Sequence, residues 1–98
     1  MIPNEFTVAG GKKIIVNIVD SIGNGKDFGE FNDATNIILI AKNVRVDDSW
    51  YQVSEEDMYR TYLHELFHVF QFYAGMELDE IIAQMFSNFE YEYEKSKK

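Results

Sequence analysis

The chain has two histidines, His64 and His68, four residues apart, and Glu65 directly follows the first. On a helix that spacing stacks two imidazoles one turn apart, so both can converge on one ion. The intervening carboxylate lies slightly around the face, near the position of a water held by that ion. His64-Glu65-Leu66-Phe67-His68 is the HExxH pattern, and zinc is the ion it predicts. Chance explains it poorly: two histidines placed at random in 98 positions stand four apart in roughly 2% of arrangements. With roughly one residue in ten a glutamate, the whole pattern arises by accident about 0.2% of the time.

Two imidazoles leave tetrahedral zinc short of ligands, so a third must come from elsewhere, with water in the fourth position if the site is catalytic. The chain has no cysteine and no further histidine, which makes the third ligand a carboxylate. Glu77, Asp79, Glu80 and Glu90 are the choices on the segment that follows. Glu80 is preferred because it begins the next helical pattern on the same edge as Ala83, Gln84 and Ser87, where small side chains permit close approach. An acid in the first turn of a helix is also favoured by the macrodipole without any metal, and Glu90 is the main rival.

The elements that must position these residues are legible in the second half. Ser54 followed by Asp57 resembles a capping box and Gly75 is a stop signal, so a helix is predicted over about 54–74. At about 100° per residue, Asp57, Thr61, His64, Glu65, Gln71 and Phe72 fall within roughly 60° of His68. Large apolar and aromatic residues cover nearly all the rest, so the helix is expected to be wrapped by core except along one polar stripe. Leu78, Ile81, Ile82, Met85, Phe86, Phe89 and Tyr93 then recur at helical spacing. They predict a second helix over about 79–95, antiparallel to the first because the connection is short.

The first half reads as strands. Glu5–Val8, a Gly10-Gly11 turn and Lys13–Val19 form a hairpin pattern. Asp20–Asp33, with Gly23, Gly25 and Gly29, reads as a loop, Thr35–Ala41 as a third strand, and Lys42–Gln52 as a connection back across the fold. The predicted fold class is α+β: a small, mostly antiparallel sheet over about 5–41, then the HExxH helix and a second antiparallel helix, in one domain spanning 1–98.

His64 to His68 followed by Glu80-Ile81-Ile82-Ala83-Gln84-Met85-Phe86 resembles the gluzincin arrangement of ImmA/IrrE-type and small phage-encoded metallopeptidases, in which HExxH precedes a helix bearing Glu-x-x-Ala-Asn-x-Phe. Position 84 is Gln here rather than Asn, and 12 residues separate His68 from Glu80. Phe28-Gly29-Glu30-Phe31 and the strand Asn36–Ile40 are similar to the family's glycine-containing loop and edge strand. The resemblance implies a minimal zincin-like fold and a thermolysin-like peptidase, with His64, His68 and Glu80 holding zinc and Glu65 as general base. It also implies that the Asn36–Ile40 strand lies along the cleft and pairs with an extended peptide substrate. Tyr51, Tyr62 and Tyr73 are the available oxyanion donors, with Tyr62 and Tyr73 on the core side.

Composition bounds the partners. The chain is 46% hydrophobic and 15% aromatic, so it folds despite a net charge of -8. That charge makes nucleic acid an improbable partner. No apolar run is long enough to span a bilayer and the first residues do not read as a signal peptide, so the cytoplasm is the expected location. A peptide or protein substrate and a homodimer are the partners left. A core this small leaves one other function class open, a non-catalytic zinc-stabilised module that binds or regulates another protein.

Overall fold

The computed structural model describes residues 2–8, 10–75 and 80–97. Six strands precede two helices: β1 (Glu5–Val8), β2 (Lys12–Val19), β3 (Gly29–Asn32), β4 (Ile37–Ala41), β5 (Asn43–Val46), β6 (Ser49–Gln52), α1 (Glu55–Tyr73) and α2 (Glu80–Ser96). The fold is therefore small α+β, with two mostly antiparallel sheets followed by two helices. No helix among the described residues is long and apolar enough to cross a membrane.

The larger sheet runs β1-β2-β4-β3. β1 and β2 form the expected antiparallel hairpin, with Glu5 opposite Ile15 and Val8 opposite Lys12. β2 and β4 are parallel neighbours, Ile15 against Ile37 through Val19 against Ala41. Alternation then puts Ile14, Val16, Ile38 and Ile40 on one face, where all four are buried. α1 covers that face with Tyr62, Leu63 and Val69, and Phe6 meets Tyr62 edge to face at 6.4 Å. The helix starts where the capping residues place it: Ser54 Oγ accepts from the Asp57 amide at 3.1 Å.

Three expectations need correction. The Asp20–Asp33 segment is not all loop, because Gly29–Asn32 forms β3, antiparallel to β4 with Gly29 opposite Ile40. The turn joining them is closed by the Asn32 side chain, which accepts from the Ala34 amide at 2.9 Å, and by Asn36 in the left-handed region at φ 57°. β4 is consequently an interior strand rather than the edge strand that the resemblance assigned to Asn36–Ile40. The edge beside the helix is β3. Finally, Lys42–Gln52 is a hairpin, β5 with β6, turning on Asp47 and Asp48 at φ 49° and 65°. Its two strands are only four residues each and its turn, Asp47-Asp48, has no glycine, so the short alternation of Asn43–Val46 had no turn chemistry to mark it as a hairpin.

α2 returns along α1. Ala83 and Ser87 are fully buried between the helices, as their small side chains require for close approach. Phe67 stacks on Phe86 at 4.6 Å and Tyr59 meets Tyr91 at 6.4 Å, which sets the two helices antiparallel. The predicted start of this helix at Asp79 lies outside the described residues.

Candidate metal centre

His64 and His68 project from adjacent turns of α1, their ring centroids 4.8 Å apart. Glu80, the first residue of α2, reaches across to both. One carboxylate oxygen lies 3.3 Å from His64 Nε2 and the other contacts His68 Nε2. One ligand atom from each of the three residues can be chosen so that all lie within 4.8 Å of one another, a grouping able to hold a metal ion.

The opposite nitrogens are also held. His64 Nδ1 meets Gln84 Oε1 at 3.1 Å, and His68 Nδ1 meets Gln71 Oε1 at 3.0 Å. An amide oxygen only accepts, so each Nδ1 carries a proton and donates it, which fixes the ring orientations. In the neutral imidazoles this leaves each Nε2 lone pair directed at the Glu80 carboxylate. Lone pairs facing carboxylate oxygens repel unless positive charge lies between them, as protons or as a cation. Two imidazole nitrogens, one carboxylate and two amide-held rings suit zinc in ligand type and in surroundings.

Glu65 does not join this cluster. It is buried on the neighbouring part of the α1 face, where burial first, and then the like charges of Glu80, Glu30 and Asp27, push its carboxyl up to about 8. Glu80 moves the other way: burial works to raise it, but the charge and hydrogen bond of His68, then of His64, outweigh burial and hold it below its ordinary value.

The two carboxyls share an open cleft of about 470 Å³. Its floor is α1, with Thr61, His64 and Glu65, and one wall is the start of α2, with Glu80 and Gln84. The facing wall is Lys26 to Gly29, leading into β3. Gly29 is where this wall meets the floor: a Cβ there would sit 2.4 Å from Thr61 Cγ2 and 3.3 Å from Glu65 Oε2. Only a residue without a side chain lets the strand backbone come this close to Glu65.

Of the four residues singled out from sequence, His64, His68 and Glu80 are brought together, and Glu65 lines the cleft beside them. Glu90 is ten residues further along α2, about 15 Å down its axis, and acts on Tyr59 instead. Glu77 and Asp79 lie outside the described residues. None of the three tyrosines lines the cleft. Tyr62 is in the core, Tyr73 donates its hydroxyl to Asn36 Oδ1 at 2.6 Å, and Tyr51 is exposed on β6. Sequence reasoning missed the parts played by Gln71 and Gln84. Their spacing was a usable signal, since Gln71 stands three residues after His68 and Gln84 four after Glu80, each one helical turn on. Comparison with protein-family models, with curated proteins and with solved structures gives no match.

Proposed function

We propose that this chain is a zinc-dependent metallopeptidase of minimal zincin-like, gluzincin-type design, acting in the cytoplasm on peptide or protein substrates. One observation carries the reading: the Nε2 atoms of His64 and His68 converge on the Glu80 carboxylate while glutamine side chains hold both opposite nitrogens. His64, His68 and Glu80 would hold the zinc, which when bound lowers the pKa of water and polarises a scissile carbonyl. Glu65 takes a proton from the attacking water and returns it to the leaving nitrogen. In the metal-free protein, burial and the like charge of Glu80 raise its proton affinity, a property a proton acceptor needs.

β3 supplies the substrate's binding edge. Among the described residues it pairs on one side only, with β4, and its first residue lies against Glu65. An extended peptide adding to this edge would run past the proton acceptor.

The ligand set also joins α1 to α2, which favours a purely structural zinc as the second reading. Glu65 weighs against it. A carboxyl kept in a site that raises its pKa costs folding stability, and a structural ion needs no such group. A quenched-fluorescence peptide library incubated with zinc-loaded protein separates the two. Zinc-dependent cleavage is expected, reduced about 10²- to 10⁴-fold in Glu65→Gln with zinc stoichiometry unchanged. A wild-type protein that binds one zinc, stays folded and cleaves nothing would leave the structural reading in place.

A further inference from the structure

The side of the helix pair away from the cleft is apolar. Phe70 follows His68 by two residues, about 200° around α1, so the two surfaces look in opposite directions. Phe70, Met85, Phe89 and Tyr93 are 57%, 66%, 68% and 50% exposed. Stacked rings link them across the helix boundary: Phe67 lies 5.6 Å from Phe70 and 4.6 Å from Phe86, and Phe86 neighbours Phe89 on the α2 surface. Beside these rings opens a hollow of about 540 Å³ lined by Leu66, Phe67, Phe70, Tyr73 and Phe86.

We infer that this face is a homodimer interface in which α2 packs antiparallel on α2 of a second copy. This does not depend on the peptidase reading. Three features select a second copy.

The first is area. The four exposed side chains alone leave on the order of 500 Å² of largely apolar surface in water. Ile81 and Ile82, also exposed, bring the face toward the about 800 Å² per partner of a stable interface. A monomer's largest apolar patch is usually about 300–600 Å².

The second is self-complementarity. Met85, Phe89 and Tyr93 recur every fourth residue on one stripe, and a stripe of constant spacing read antiparallel maps onto itself. The hollow lies toward the C-terminal end of α1, beside the first half of α2, whereas Phe89 and Tyr93 stand on the second half. A twofold axis near Ser87 therefore carries each copy's Phe89 and Tyr93 toward the hollow of the other, which closes the contact on itself.

The third is charge. Each chain carries a net charge of -8, which opposes close approach elsewhere, but this stripe is nearly uncharged. Its one acid, Glu92, pairs with Arg60 at 3.7 Å. Lys97, over the Tyr93 ring at 5.4 Å, is paired with Glu94 at 3.2 Å, and the net charge of -8 repels anionic lipid, so a membrane is disfavoured as occupant.

Sedimentation equilibrium of zinc-loaded protein tests this. The wild type should dimerise with a dissociation constant in the micromolar range or below. Phe89→Glu should weaken dimerisation at least tenfold, with far-UV circular dichroism and zinc stoichiometry unchanged, because the side chain is exposed in the monomer. A wild type that stays monomeric to about 1 mM overturns the inference, whether or not it binds phosphatidylcholine vesicles. So does a dimer indifferent to Phe89→Glu. The chain has no cysteine, so orientation can be read directly. A mixture of Met85→Cys and Phe89→Cys chains should oxidise to the mixed disulfide, whereas efficient self-crosslinking of Tyr93→Cys would mean a parallel pair and overturn the antiparallel arrangement.

Discussion

At the scale of single residues, each side chain around the centre has a separable effect. Glu80 contributes charge as well as a donor atom, so Glu80→Ala should weaken zinc by far more than the ten- to hundredfold typical of losing a group that only orients a ligand. Gln84→Ala, which releases His64 Nδ1, belongs in that milder range, and Glu90→Ala should leave affinity unchanged. Competition titrations against a chromogenic chelator rank the three, and normal affinity in Glu80→Ala with loss in Glu90→Ala would move the ligand role along α2. Glu65 gives the metal-free protein a pH dependence of definite sign. Its carboxyl ionises near 4.5 in the unfolded chain and at about 8 when folded, so in that window the folded state binds more protons. Stability is therefore greatest on the acid side and falls as pH rises toward 8, by at most about 1.4 kcal/mol per unit. Glu80, held below its ordinary value, acts below that window, where its stabilisation is lost as pH falls. Melts in chelator at pH 5.5 and 8 should show the fall in wild type and a flatter profile in Glu65→Gln; equal slopes would mean that Glu65 is not buried as described.

At the scale of elements, the cleft depends on how closely β3 approaches α1. Gly29→Ala should drive the strand away from the helix, because the new methyl would overlap the stiff, β-branched Thr61. Overpacking of this kind costs about 1–3 kcal/mol, and the shift should impair peptide cleavage more than zinc binding, since the ligands belong to α1 and α2. Thr61→Ser removes the overlapping methyl and should recover part of the loss. Thermal melts and cleavage rates of the two single variants and the double variant measure that coupling, and strictly additive effects would show that the contact does not set the spacing.

At the scale of the whole molecule, the centre ties two helices together over a core that a chain of 98 residues can make only modest. Zinc at a thousand times its dissociation constant should add about 4 kcal/mol, several degrees or more in melting temperature for a domain of this size. Scanning calorimetry with zinc and with chelator reads the difference directly. In Glu80→Ala that increment should nearly vanish, so that the variant with zinc melts close to the wild type without it.

HExxH on a capped helix, an acid twelve residues on and small residues at Ala83 and Ser87 were all readable from the chain, because a helix turns local spacing directly into geometry. The β1–β2 hairpin was readable for the same reason, its turn and alternation being local. What only the tertiary structure decided was non-local. Whether Glu80 or Glu90 meets the histidines depends on how far α2 slides along α1, and burial of Ala83 and Ser87 against the aromatic stacks determines that. Which strand forms the edge depends on the parallel pairing of β2 with β4, a contact between segments some twenty residues apart that no local pattern encodes. It makes β4 interior and leaves Gly29–Asn32, glycine-led and loop-like in composition, as the strand beside Glu65. The contact of His64 with Gln84 exists only once the helices have packed, whereas Gln71 holds His68 from within α1, one turn on, and lay within reach of local spacing.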